Sequence, residues 1–193
     1  MELPIYKLII NDDEELEVNC ISVVDQPATQ SYAAFMSEQP VEHQFQVLNE
    51  EKRYAVGALM VANKPIYRKD EKTGKEFFVV LDAENIERAM VKFFEKGYQN
   101  NVNLMHDPKQ PVEGMTLFQH FIVNNELGIR TPKGFDKLPE GSSFGIFKVK
   151  NDQVWELIKQ NKFGFSIEGV FKQQPMVVVN QEEVEAIMKV LTK

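Results

Sequence analysis

The chain has 193 residues, of which 43% are hydrophobic and 26% charged, a balance that fits a single soluble domain able to bury a core. Its formal net charge of −7, with no Lys/Arg-rich run, speaks against a general nucleic-acid binder, which presents a basic face. Apolar runs stay far below the ~20 residues of a bilayer-spanning helix, and Met1-Glu2-Leu3-Pro4 does not open a secretory signal, so no membrane partner is expected.

Residues 1–10 read as an opening strand, followed by the acidic turn Asn11 to Glu15. Val18 to Val24 reads as a second strand, stopped by Asp25-Gln26-Pro27 because proline cannot donate to a sheet ladder. It carries Cys20, the chain's one cysteine, which leaves no internal disulfide and reads as a small strand residue rather than a nucleophile. The polar stretch from Thr29 onward, with Pro40, predicts an irregular connection near residues 29–50 within one domain spanning 1–193. Arg53 to Ala62 and Glu76 to Leu81 read as strands, and the turn signal Asp70 to Lys75 predicts that they form a hairpin. Asp82 is placed as an N-cap, with Ile86, Ala89, Met90, Phe93 and Phe94 at helical spacing and Gly97 as the stop.

Val102 to Met105 predicts a strand that delivers His106 and is ended by Pro108 and Pro111. Further strands are expected over Met115 to Val123, Ser143 to Val149, Phe163 to Phe171 and Met176 to Val179. Asn151-Asp152 cap a helix that presents Val154, Trp155, Leu157 and Ile158, and Gln181 to Leu191 reads as an amphipathic terminal helix. About seven or eight strands with about three helices give an α+β fold, expected here as a mostly antiparallel β-barrel with the helices packed outside.

Little in the chain points to a cofactor or a metal. The three histidines, His43, His106 and His120, lack metal-ligand spacing, and there is no G-x-G-x-x-G, P-loop or G-x-S-x-G elbow. What remains is a pairing of Ser166 with His106. A serine hydroxyl becomes a useful nucleophile when a base takes its proton as it attacks. His106, at a strand end, is placed where a base needs to be. In the serine strand, Ser166 shares a face with Gly164 and Glu168, while Phe163, Phe165 and Ile167 line the other. The third member, which orients the imidazole, has three candidates: His120, Glu168 and Asp25. Glu168 reads first as an ordinary solvent-side carboxylate and only second as a partner for the histidine.

Four segments in chain order resemble one family. They are Ile21-Ser22-Val23-Val24-Asp25-Gln26-Pro27-Ala28, Val102-Asn103-Leu104-Met105-His106-Asp107, Phe144 to Asp152 followed by Val154-Trp155, and Gly164-Phe165-Ser166-Ile167-Glu168-Gly169. Together they resemble the XkdF-like phage serine proteases, relatives of the prohead maturation proteases of tailed bacteriophages. The resemblance implies a barrel similar to the herpesvirus assemblin proteases and a His-Ser pair falling on His106 and Ser166. It also implies cleavage of scaffold and capsid proteins inside the assembling head, in the host cytoplasm, by a protein that can self-associate. Relatives carry a Glu-Ser pair where this chain has Gln119-His120. The departure leaves two expectations: His120 completes a Ser-His-His arrangement, or the chain is a virion structural or interaction protein that keeps the fold without catalysis.

Overall fold

The computed structural model describes residues 3–13, 15–25, 45–70, 72–160 and 163–176. In chain order the described elements begin with β1 (Ile5–Ile9), β2 (Glu17–Val24), β3 (Gln46–Asn49), β4 (Tyr54–Met60), β5 (Ile66–Lys69) and β6 (Glu76–Val80). Helix α1 (Ala83–Glu95) and a 3-10 turn at Tyr98–Asn100 come next, then β7 (Val102–Leu104), β8 (Asp107–Pro111), β9 (Met115–Ile122) and β10 (Ser143–Val149). The series closes with helix α2 (Asp152–Lys159), β11 (Gly164–Val170) and β12 (Lys172–Pro175). The strands form three four-stranded sheets, in the orders β12-β1-β6-β5, β3-β4-β10-β9 and β11-β2-β7-β8. Neighbours pair antiparallel except β1 with β6 and β2 with β7.

The local chemistry of these elements follows the sequence closely. Asp82 accepts the Asn85 N–H at 3.0 Å and caps α1, while Gly97 (φ 75°) takes the left-handed conformation that releases the chain after it. The inner face of α1 buries Ile86, Ala89, Met90 and Phe93. Asn85 is buried with them, and its Oδ1 accepts the Ile10 N–H at 2.7 Å, tying the end of β1 to the helix. Outside, Lys92 Nζ donates to the carbonyls of Asn11, Asp13 and Leu16, which holds the turn before β2 against α1. Helix α2 is capped by Asn151, which accepts the Val154 N–H at 3.0 Å, and buries Val154, Trp155 and Ile158.

Abundant, mostly antiparallel strand with two helices fits the expected α+β class, but among the described residues the sheets stay open and close no barrel. Edge chemistry helps keep them so: β8 carries Pro108 and Pro111, which have no N–H to extend a ladder. Strands outnumber the expectation because short ones escaped the pattern. The turn at Asp70–Lys75 joins β6 to β5, not to the strand over Arg53–Ala62, which instead lies between β3 and β10. The irregular connection expected near 29–50 ends in structure, since Phe45 is buried and Gln46–Asn49 pairs with β4; its residues 29–44 lie outside the described ones. Pro108 and Pro111 sit within a strand rather than after one. Phe94, placed in the core by its spacing, is 39% exposed. The strand expected at Met176–Val179 and the helix at Gln181–Leu191 fall mostly or wholly outside the described residues, which contain two α-helices.

The packing that positions β11 runs through one side chain. Phe165 is 2% exposed, with its ring centroid 4.2 Å from that of Phe45 and 4.4 Å from that of Phe147. The third sheet therefore rests on the second across Phe165, and Gly57 of β4 supplies the room: a Cβ there would lie 2.7 Å from the Phe165 ring. Gly57→Ala should accordingly overpack this contact and lower stability by about 1–3 kcal/mol in a urea titration. An unchanged midpoint would show that the ring is free to shift.

Candidate active site

With Phe165 turned into the core, the alternation of a strand sends Ser166 and Glu168 to the opposite face of β11. Across the ladder Ser166 lies opposite Ser22 and Glu168 opposite Cys20, while Ser22 in turn pairs with Asn103 of β7. A row Ser166–Ser22–Asn103 therefore crosses three adjacent strands on one face. All three are buried, at 4%, 0% and 5% exposure. Three polar residues in line across a sheet interior are costly to bury unless they bond one another or a ligand.

His106 reaches this row by a strained turn. Leu104 pairs with Asp107, so Met105 and His106 form a two-residue link between β7 and β8, and both have positive φ, 56° and 58°. That is the backbone a type I′ hairpin requires, and it favours Asn-Gly rather than Met-His. Two hydrogen bonds to β2 hold it: Met105 N–H donates to the Val23 carbonyl at 3.0 Å, and His106 N–H donates to Ser22 Oγ at 2.8 Å. The His106 main chain is thereby anchored to the residue directly opposite Ser166.

The ring of His106 completes the arrangement. Its Nδ1 lies 3.1 Å from Glu168 Oε1, and the same oxygen accepts the Asn103 side-chain N–H at 2.6 Å. The imidazole is half-exposed at 45% and the carboxylate less so at 29%. A neutral imidazole that donates Nδ1–H to a carboxylate keeps its lone pair on Nε2, the tautomer a general base needs. Among the described residues no hydrogen bond joins His106 to Ser166; Nε2 is the ring nitrogen left free for that purpose. The chemistry open to such a face is proton abstraction from a hydroxyl by an oriented imidazole.

The remaining candidates are elsewhere or inert. His120, on β9, points its Nε2 at Ser143 Oγ (2.9 Å) and its ring at Phe94, 5.2 Å away between centroids. It lines a separate surface groove with Met90, Ile122 and Leu127, and burial pushes its imidazole down to about 4. Asp25 is exposed after the end of β2, with no hydrogen bond or ion pair among the described residues. Burial and then the Glu168 carboxylate push the Cys20 thiol up to about 11, so it stays protonated at neutral pH. The described residues contain no group of three or more His, Cys, Asp or Glu side chains placed to hold a metal. Sequence reading passed over Ser22 and Asn103. Their signal was a single polar residue inside an apolar strand, in Ile21-Ser22-Val23 and Val102-Asn103-Leu104.

A family model described as "Putative phage serine protease XkdF" matches residues 41–174. The match spans more than half of the chain, which belongs to this family, and it takes in His106, Ser166 and Glu168. No curated protein and no solved structure matches the chain.

Two outcomes follow from this geometry. Met105→Gly removes a side chain from a left-handed position and should stabilise the fold by about 1 kcal/mol, read as a raised urea midpoint; a lowered midpoint would mean that the Met105 side chain contributes more than the turn costs. The second concerns pH. Because the folded His120 titrates near 4 rather than its ordinary 6.5, the unfolded chain binds the proton more readily. Stability should therefore fall as pH drops from about 6.5 to about 4, then level off, by on the order of 2 kcal/mol. His120→Gln should flatten that part of the pH–stability curve, and an unaltered slope in the variant would assign it to other groups.

Proposed function

We propose that this member of the phage serine protease family is an endopeptidase with Ser166 as nucleophile, His106 as general base and Glu168 as the carboxylate that orients the base. The observation that carries the reading is the His106 Nδ1–Glu168 contact on the same sheet face as Ser166, with Glu168 on Ser166's own strand and only β2 between that strand and the one that delivers His106. It also answers the departure at Gln119-His120. Gln119 is an exposed residue of β9, and a carboxylate reaches the imidazole from β11 instead. The substrates we assign are scaffold and capsid subunits of an assembling phage head, and the place of action is the prohead.

In the reaction His106 Nε2 takes the Ser166 proton as Oγ attacks the scissile carbonyl carbon, forming a tetrahedral oxyanion. The imidazolium, stabilised by Glu168 at Nδ1, returns the proton to the leaving amine as the C–N bond breaks. Water then attacks the acyl-enzyme, with His106 again accepting a proton and passing it to Ser166 Oγ. Asn103 keeps Glu168 aimed by donating to the oxygen that meets the imidazole.

A second reading, a virion structural or interaction protein that keeps the fold without catalysis, draws on a different observation. Ser166 is 4% exposed and makes no hydrogen bond to His106 among the described residues. Co-expression with the phage's capsid and scaffold proteins separates the two. The wild type should shorten a capsid or scaffold subunit, Ser166→Ala should leave it intact, and Glu168→Gln should slow processing on the order of a thousandfold. Subunits that remain full length with the wild type, in heads that nonetheless assemble, leave the structural reading.

A further inference from the structure

Beside Glu168 the surface opens into a cleft of about 760 Å³, bounded by β2, the segment from Tyr98 through β7, and the approach to β9. Its lining carries charge of one sign: two carboxylates, Glu113 and Glu168, and, among the described residues, no lysine or arginine. Three of the side-chain donors at its wall are already engaged: Asn101 donates to the Asn19 carbonyl at 3.2 Å, Asn103 to Glu168 at 2.6 Å, and the Tyr98 hydroxyl to Glu17 at 3.3 Å.

An independent sign comes from Asn103, whose Oδ1 is buried without a hydrogen-bond partner although the residue is 5% exposed and forms part of the cleft wall. Native interiors rarely leave such an acceptor unpaired, and a donor-bearing ligand is one way to satisfy it. The cleft also has an apolar side, where Val102, Val112 and Met115 are buried along its wall. An apolar wall leading to unpaired acceptors and carboxylates suits a long side chain with an aliphatic stem and a cationic, donor-only head.

We propose that this cleft is the specificity subsite for an arginine or lysine side chain of the substrate polypeptide. The assignment rests on reading the His106–Glu168 face as catalytic, because the cleft shares Glu168 with it. A polypeptide whose basic side chain enters here brings its backbone along β11 toward Ser166, which stands two residues from Glu168. Acidic side chains are rejected, since they would meet two carboxylates with no lysine or arginine among the described lining residues to offset them.

The subsite is tested on the full chain by titrating Ser166→Ala with Nα-acetyl-arginine amide and following its amide resonances by NMR. The expected result is saturable shifts at the Asn103 side-chain amide and around Glu113, with none from the norleucine or glutamate analogues. Glu113→Lys should weaken the arginine analogue about tenfold without altering the signals of the His106 turn. Equal responses to arginine and norleucine analogues, or shifts outside the cleft only, overturn the assignment. The processing reaction gives the second arm: capsid or scaffold sites cut by the wild type should carry Arg or Lys near the scissile bond. Cleavage at sites without either overturns the subsite and leaves the protease reading standing, whereas absence of all cleavage counts against the protease reading and leaves the titration to decide the cleft.

Discussion

Everything at the candidate site depends on the register of β2 between β11 and β7. The antiparallel ladder sets Ser166 opposite Ser22, and the parallel one sets Ser22 beside Asn103. A slip of one residue in either ladder would turn a strand's side chains over and send Ser166 or Asn103 into the core. What forbids the slip is on the other face. Phe165, Ile21 and Val23 are all but fully buried there, so the apolar residues of β11 and β2 fix the polar ones by exclusion. Gly57 matters for the same reason, since it lets the Phe165 ring close on β4.

Ser22 makes this register useful. Its hydroxyl accepts the His106 N–H, and with the Met105 bond to Val23 it ties a two-residue left-handed turn to the central strand. Two non-glycine residues in that region cost on the order of 1–2 kcal/mol each, and about the same is recovered from two hydrogen bonds in a buried setting. Strain that persists because its surroundings hold it is common at functional sites. The turn aims one side chain, and that side chain is an imidazole whose ring meets a carboxylate.

The elements with strong local signals were legible in the sequence. β10 has the predicted bounds, and both long caps, Asp82 and Asn151, act as read, because capping and strand alternation are decided by residues close in the chain. The faces of β11 were legible for the same reason: period-two alternation placed Ser166 with Glu168. β5 and β8 were not legible, as each is short, polar and half-exposed, and β8 contains two prolines that argue against a strand. The open sheets were beyond local reading too, because closure depends on which edges meet. Nor could the sequence choose among His120, Glu168 and Asp25, since that choice turns on ladder registers between strands far apart in the chain. Ser22 and Asn103 went unremarked, though a lone polar residue in each of two apolar strands was the visible trace of a shared polar row.

The difference between His120 and Glu168 is electrostatic as much as positional. A third member must stabilise an imidazolium, which a carboxylate does by charge and a second imidazole does by its dipole alone when neutral. Burial against Phe94 keeps His120 neutral at physiological pH, and its Nε2 is turned toward Ser143. Glu168 offers a carboxylate to the imidazole and receives a second hydrogen bond from Asn103. It also rides on the same strand as Ser166, two residues on, so the separation of alcohol and carboxylate is set by one pleat of β11 rather than by the packing of two elements. In the proposed enzyme the imidazole is then the only member of the three whose position depends on a turn, and with Glu168 supplied by β11 the arrangement draws no carboxylate from β9.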